Sequence, residues 1–166
     1  MIQIDLHTQV YFSPQDDTIS EFCSLLNDAK ESIHLADYSF NIPQVVDILI
    51  AKDKAGLDIK LVLDKSQSGG KSEVPEVNKL HSAGVPTIIV ESDDHQIMHN
   101  KFTIIDGVVC QAGSWNYTAS AADENNFYFV FDNTDVATVF DTDFMQMWNG
   151  VTTVIKETNV ASNPSN

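Results

Sequence analysis

The dipeptide Asp106-Gly107 constrains the fold more than any other pair in the chain. It separates two short runs, Ile97-Met98-His99-Asn100-Lys101-Phe102-Thr103-Ile104-Ile105 and Val108 to Gln111. Asp-Gly between such runs is a strong hairpin signal, so the spacing predicts two antiparallel strands. Residues i and i+2 of a strand share a face, which places the His99 imidazole beside the Lys101 ammonium. The return strand carries Gly113, Ser114 and Asn116 back toward the strand that holds His99. A nucleophile, a fixed cation and a polar amide thus converge locally, a set suited to a phosphodiester.

Around this hairpin the pattern alternates strand and helix. Ile2 to Phe12 reads as a strand stopped by Ser13-Pro14, and Ile19, Phe22, Cys23 and Leu26 follow helical spacing within a helix from about Gln15 to Lys30. Ser32 to Ser39 reads as a strand. Asn41 is placed to cap, and Pro43 to open, a helix carrying Val45, Val46, Leu49 and Ile50 that Gly56 ends. Asp58 to Asp64 reads as a buried strand, Lys65 to Ser72 as a polar loop, Glu73 to Ala83 as a helix closed by Gly84, and Thr87 to Val90 as a strand. Beyond the hairpin come a strand from Asn126 to Phe131 and a helix near Asp135 to Trp148. Strands separated by helices predict an α/β fold, a layered α-β-α domain with a mixed β-sheet. Residues 1–155 form one domain in this reading, and 156–166 a flexible tail.

At 166 residues with 43% hydrophobic content, one domain with a real core is expected. No apolar run approaches a membrane span, and Met1 to Leu6 lacks the pattern of a signal peptide. Cys23 and Cys110 form no CxxC pair and read as small core residues. His34, in a core strand pattern, reads as buried and satisfied. Cytoplasmic residence is the expectation.

Charge pulls the other way from a simple polyanion binder. The net charge is −15 and all nine basic residues are lysine, whereas nucleic-acid affinity draws on cations that neutralise phosphates and arginine is the preferred bidentate partner. Two readings stand. Either the acidity is a solubility or high-salt adaptation around a local basic groove, or long nucleic acid is not the substrate.

The string His99-x-Lys101-x4-Asp106-x6-Gly113-Ser114-x-Asn116 should arise by chance in a chain this long on the order of once in a hundred thousand to a million. It resembles the HKD motif of the phospholipase D superfamily with every spacing intact. Val10-Tyr11-Phe12-Ser13-Pro14, Ala36-Asp37-Tyr38-Ser39-Phe40 and Asp132-Asn133 extend the likeness across roughly residues 8–150, to the short bacterial endonucleases called Nuc-like. The resemblance implies a phospholipase D/nuclease-like fold. It also implies a two-step reaction in which one histidine attacks phosphorus and a second protonates the leaving oxygen, with no metal and no cofactor. His99 is the candidate nucleophile; Lys101 and Asn116 would hold the non-bridging oxygens, with Ser114 assisting. Asp106 and Gly113 read as structural.

The chain has one HxK, so two copies must meet, and the resemblance implies a homodimer with one composite site on its two-fold axis. The family also places a glutamate after the Ser/Asn turn to orient the histidine. Here the run is Asp123-Glu124-Asn125-Asn126-Phe127. Counting back from Asp132-Asn133 selects Asn125, and matching a Glu-Asn pair selects Glu124; alternation with Phe127, Phe129 and Phe131 favours Asn125. Lys65 and Lys71 are candidates for gripping a nucleic-acid backbone, and His95, in an acidic loop, for touching substrate. Three functions stay open: a metal-independent phosphodiesterase acting on nucleic acid, most simply a non-specific endonuclease; a lipid or small-molecule phosphodiesterase; and a non-catalytic binding domain. An amphipathic element with a basic face would support the lipid reading, and none is visible, so no stable membrane association is expected.

Overall fold

The computed structural model describes residues 8–92, 94 and 96–159. The elements run β1 (Thr8–Ser13), α1 (Thr18–Asp28), β2 (Ser32–Asp37), α2 (Pro43–Lys54), β3 (Asp58–Asp64), α3 (Lys65–Ser68), α4 (Val74–Ala83), β4 (Thr87–Ser92), β5 (Lys101–Ile105), β6 (Val109–Gly113), β7 (Asn126–Asp132), α5 (Thr134–Trp148) and β8 (Thr153–Asn159). Eight strands form one sheet in the order β1-β7-β6-β5-β2-β3-β4-β8. β2, β3 and β4 are mutually parallel and every other pairing is antiparallel. The predicted mixed sheet is therefore present, with parallel strands at its centre, where both faces are covered.

Two cores flank the sheet. Phe22, Leu26, Val45, Leu49, Val77 and Leu80 from α1, α2 and α4 bury against one face. On the other face α5 packs Val136, Ala137, Phe144 and Met147 onto Ala36, Val62, Phe102 and Cys110. Both β2-α2-β3 and the β3-to-β4 connection place their helices on the first face, as parallel crossovers of one hand do.

Several elements differ from expectation for identifiable reasons. The strand expected from Ile97 begins only at Lys101, because its partner β2 ends at Asp37, which pairs with Lys101. His99 thus precedes the strand. Asn41 does not cap α2; the cap residue is Ile42, without a side-chain bond, and the Asn41 Oδ1 accepts from the Ala119 amide at 3.1 Å instead. Lys65–Ser68, expected as loop, is a helical turn capped by Asp64. The tail expected from Lys156 begins inside β8, whose Thr153–Asn159 pair antiparallel with β4. The first residues of the expected strand Ile2–Phe12 and the segment beyond Asn159 lie outside the described residues. His34 is satisfied as expected but half-buried rather than buried: it stacks on Phe144 with ring centroids 5.0 Å apart and contacts Asp141 at 2.6 Å and Asp58 at 3.3 Å. Cys110 is fully buried, which pushes its thiol up to about 12.

Candidate active site

The topology gathers the motif at one edge of the sheet. β2 and β3 end there with Asp37 and Asp64, antiparallel β5 starts there with Lys101, β6 ends there with Gly113, and β7 starts there with Asn126. Carboxyl ends of parallel strands are the usual place for a site in an open α/β sheet. Among the described residues, no helix is long and apolar enough to cross a membrane, and no group of three or more His, Cys, Asp or Glu side chains is arranged to hold a metal ion.

His99 is exposed. Its ring lies against Tyr38, with centroids 4.5 Å apart at 59°, and neither ring nitrogen has a hydrogen-bond partner among the described residues. Partial burial and then the Lys101 charge lower its pKa, opposed by Asp64. The imidazole is thereby biased toward the neutral, nucleophilic form. It sits on the rim of a depression of about 330 Å³ shared with Ile97, Met98, Asp143 and Met147.

Lys101 contrasts with it. Only 8% exposed, it donates to the His99 carbonyl at 2.7 Å and stands 5.0 Å over the Tyr38 ring. Burial lowers its pKa, and Asp37 and then Asp64 counter that shift. Asp37 is fully buried; its Oδ2 accepts from the Tyr117 amide at 2.9 Å, while its Oδ1 has no hydrogen-bond partner among the described residues. Desolvation holds its carboxyl well above the usual range, against the pull of Tyr117 and Lys101. Glu73, also buried, accepts from Ser39 Oγ at 2.5 Å, and desolvation raises it too.

Asp106 is remote from this chemistry and anchors the hairpin. Both Asp106 and Gly107 have positive φ, 53° and 65°, and Val108 closes the turn by donating to Ile105 O at 3.0 Å. The Asp106 carboxylate accepts from the amides of Lys30, Glu31 and Ser32 at 2.7–3.1 Å. These bonds outweigh its desolvation and hold its pKa below the ordinary value. Gly113 is required by a close approach: a Cβ there would meet Phe127 O at 2.2 Å and Tyr128 Cα at 2.6 Å. That approach lets the Ser114 and Trp115 amides share the Phe127 carbonyl at 3.0 and 3.3 Å. Asn116 follows, half-buried, with an Oδ1 that is shut from solvent and has no hydrogen-bond partner among the described residues.

The Ser114 hydroxyl meets neither Asn125 nor Glu124. It bonds Asn126 Oδ1 at 3.0 Å and accepts from the Phe127 amide at 3.2 Å. Asn125 is exposed ahead of β7 and lines an open depression with Phe12 and Phe127. Glu124 is exposed, with its carbonyl taking the Ser13 hydroxyl at 2.7 Å, and neither residue contacts His99. Lys65 pairs with Glu91 at 3.3 Å, as does Lys156 at 2.5 Å, so Lys65 is already engaged. Lys71 is exposed, in a turn, with no ion pair among the described residues. His95 lies outside the described residues.

Sequence reasoning assigned no role to Asp37, Asp64 or Asn126. A signal for the two aspartates was present: each closes an apolar strand, Leu35-Ala36-Asp37 and Leu61-Val62-Leu63-Asp64, and a carboxylate at the end of a buried run faces the strand ends where sites form.

A family model described as "Cardiolipin synthase, PLD-like domain" matches residues 22–148. This chain belongs to the phospholipase D superfamily. The match runs from within α1 to the end of α5 and so includes the whole motif. Among solved structures, Nuc from Salmonella typhimurium, a phospholipase D family member, superposes with a TM-score of 0.79 at 28% identity, over 90% of this chain and 97% of that one. NucT from Helicobacter pylori gives 0.75 at 18% identity, over 90% and 98%, a likeness of fold. Among sequence relatives, the mitochondrial cardiolipin hydrolase of Xenopus tropicalis is 25% identical over 134 residues, and the phospholipase D of Rickettsia conorii 31% over 116. These matches cover 80% and 69% of this chain but only 62% and 55% of the two relatives.

Proposed function

We propose that this superfamily member is a metal-independent phosphodiesterase, most simply a non-specific endonuclease of DNA or RNA, working through a phosphohistidine in a homodimeric composite site. The observation that carries the reading is the contrast between an exposed, neutral-leaning His99 and a buried Lys101 two residues on. The His99 imidazole attacks phosphorus, forming the N–P bond as the bridging P–O bond breaks. The second copy's imidazolium gives its proton to the departing oxygen. That imidazole, now a base, takes a proton from water, whose oxygen displaces the histidine from phosphorus. Lys101 would neutralise, and the Asn116 amide hydrogen-bond, the non-bridging oxygens throughout.

The likeness to Nuc over nearly its full length supports a nucleic-acid substrate. The engaged Lys65 and the net charge of −15 weigh against a broad basic groove. A second reading, a lipid diesterase, is favoured by the relatives named cardiolipin hydrolase and phospholipase D.

The test is cleavage of plasmid DNA, single-stranded DNA and RNA at low salt in excess EDTA, with cardiolipin vesicles and bis(p-nitrophenyl) phosphate in parallel. Wild type should cut nucleic acid undiminished by EDTA, and His99→Ala should not. Turnover of the nitrophenyl ester or cardiolipin alone would sink the nuclease reading and favour the second.

A further inference from the structure

Tyr38 touches both His99 and Lys101 and belongs to neither core. It follows β2, whose register against β5 runs to Asp37↔Lys101. The Tyr38 amide donates to the Asn100 carbonyl at 3.0 Å and carries that register one step further. Tyr38 therefore stands opposite the residue that separates His99 from Lys101. Its ring centroid lies 4.5 Å from that of His99 and 5.0 Å from the Lys101 ammonium. The side chain is half-buried, and neither hydrophobic core includes it. Interior packing does not account for a large aromatic at this place.

The far end of the side chain is held as well. Gln67 Nε2 donates to Tyr38 Oη at 2.8 Å. Gln67 lies in α3, the turn that Asp64 caps through the Ser66 and Gln67 amides. The tyrosine is thus pinned at its backbone by the segment before β5 and at its hydroxyl by the turn after β3. A ring fixed at both ends fixes what rests on it. The Lys101 ammonium is drawn to the electron-rich face of that ring. Among the described residues it makes one hydrogen bond, to the His99 carbonyl at 2.7 Å, which leaves two N–H donors for phosphate oxygens. The His99 ring has no hydrogen bond to orient it and rests on Tyr38 instead. We propose that Tyr38 is the positioning residue of this site: it holds the His99 ring and the Lys101 ammonium in one fixed relation, and Gln67 holds Tyr38. The inference rests on the phosphodiesterase reading above, which names the reacting groups but not what orients them.

The experiment is steady-state turnover of bis(p-nitrophenyl) phosphate and of single-stranded DNA in excess EDTA by wild type, Tyr38→Leu, Tyr38→Phe and Gln67→Ala, with His99→Ala as the blank. Tyr38→Leu should lower kcat by about tenfold to a hundredfold, the scale of a misplaced reacting group, and leave KM within about twofold. Tyr38→Phe keeps the ring and should recover most of that loss. Gln67→Ala should match Tyr38→Phe, and the double variant of the two should be no worse than either, because all three lack the same bond. Should the leucine variant fail to fold, wild type alone still decides: nuclear Overhauser contacts should join the His99 and Tyr38 rings in solution. Wild-type kcat in Tyr38→Leu, or no such contacts, overturns the inference. A KM that rises while kcat holds gives the ring to substrate and overturns it. Equal losses in Tyr38→Phe and Tyr38→Leu give the effect to the hydroxyl and overturn it. Wild type no faster than His99→Ala on either substrate overturns the phosphodiesterase reading, and the inference with it.

Discussion

The Asp64 carboxylate accepts the Met98 amide proton at 2.8 Å, a bond across 34 residues that fixes the backbone one step ahead of His99. Its other oxygen caps α3 through the amides of Ser66 and Gln67 at 2.8 and 3.3 Å. Asp64 thereby couples the end of β3 to the segment before β5, which otherwise meets the sheet through the Ser92–Gln96 bridge and the Tyr38 amide on the Asn100 carbonyl. Asp64→Ala should lower kcat by about tenfold to a hundredfold, the scale of a misplaced reacting group, and leave KM within about twofold. Stability should fall by about 1–3 kcal/mol for the lost cap and buried bond. Asp64→Asn, which keeps one acceptor, should fall between wild type and alanine. Wild-type kcat in the alanine variant would show that the tether does not position His99.

The hairpin, the central strands and the motif spacing are legible in the sequence because they rest on local rules. Asp106-Gly107 sets the turn, and Asp58–Asp64 alternates with the helices around it as read. What escapes is set by pairing at a distance. β8 shows no alternation of buried and exposed residues and is a strand through its pairing with β4, and His99 falls outside β5 because β2 stops at Asp37. The count that weighed Asn125 against Glu124 as the histidine's partner gave no hint of Asn126, which the Ser114 hydroxyl meets beside the close approach at Gly113. Counting along one strand cannot see that.

The same close approach makes Gly113 intolerant. Its φ is not the obstacle. The obstacle is backbone, since the nearest atoms to an added Cβ are Phe127 O and Tyr128 Cα, and neither can swing aside. Gly113→Ala should therefore force β6 and β7 apart and destabilise by about 3 kcal/mol, the upper end for overpacking. It should also release the Ser114 and Trp115 amides from Phe127. Urea unfolding of the variant checks this, and a loss below about 0.5 kcal/mol would mean that the strands separate freely there.

Asp106 predicts a pH dependence of stability rather than of catalysis. Its folded pKa is depressed by the Ser32, Glu31 and Lys30 amides, against desolvation, so the folded state favours the carboxylate. The stabilisation is complete above the unfolded value of about 3.9 and is lost as pH falls through the lower folded value. Asp106→Asn, which keeps the shape but not the charge, should cost about 1–2 kcal/mol at neutral pH. The gap from wild type should close at a pH below the folded value. Parallel denaturation curves at neutral and acid pH measure it, and a gap independent of pH would exclude the charge as its source.

Lys101 and His99 predict the last effect, read on the imidazole itself. Burial and the Lys101 charge push the His99 pKa below its ordinary value of about 6.5. Lys101→Met removes the cation and keeps much of the side-chain length, so one of the two downward influences disappears while Asp64 still favours the imidazolium. The His99 pKa should rise relative to wild type, which leaves less free base near neutral pH. Nitrogen-edited NMR of the His99 ring follows this without relying on turnover. In a dimer the two imidazoles titrate as a coupled pair, so the apparent midpoints of the pair are compared between the two proteins. Turnover should fall by about a hundredfold or more from loss of oxygen neutralisation, and its acid limb should move up in the same direction as the NMR midpoint. A midpoint unchanged by Lys101→Met would mean that the ammonium does not act on the imidazole, leaving burial alone to bias His99 toward the free base.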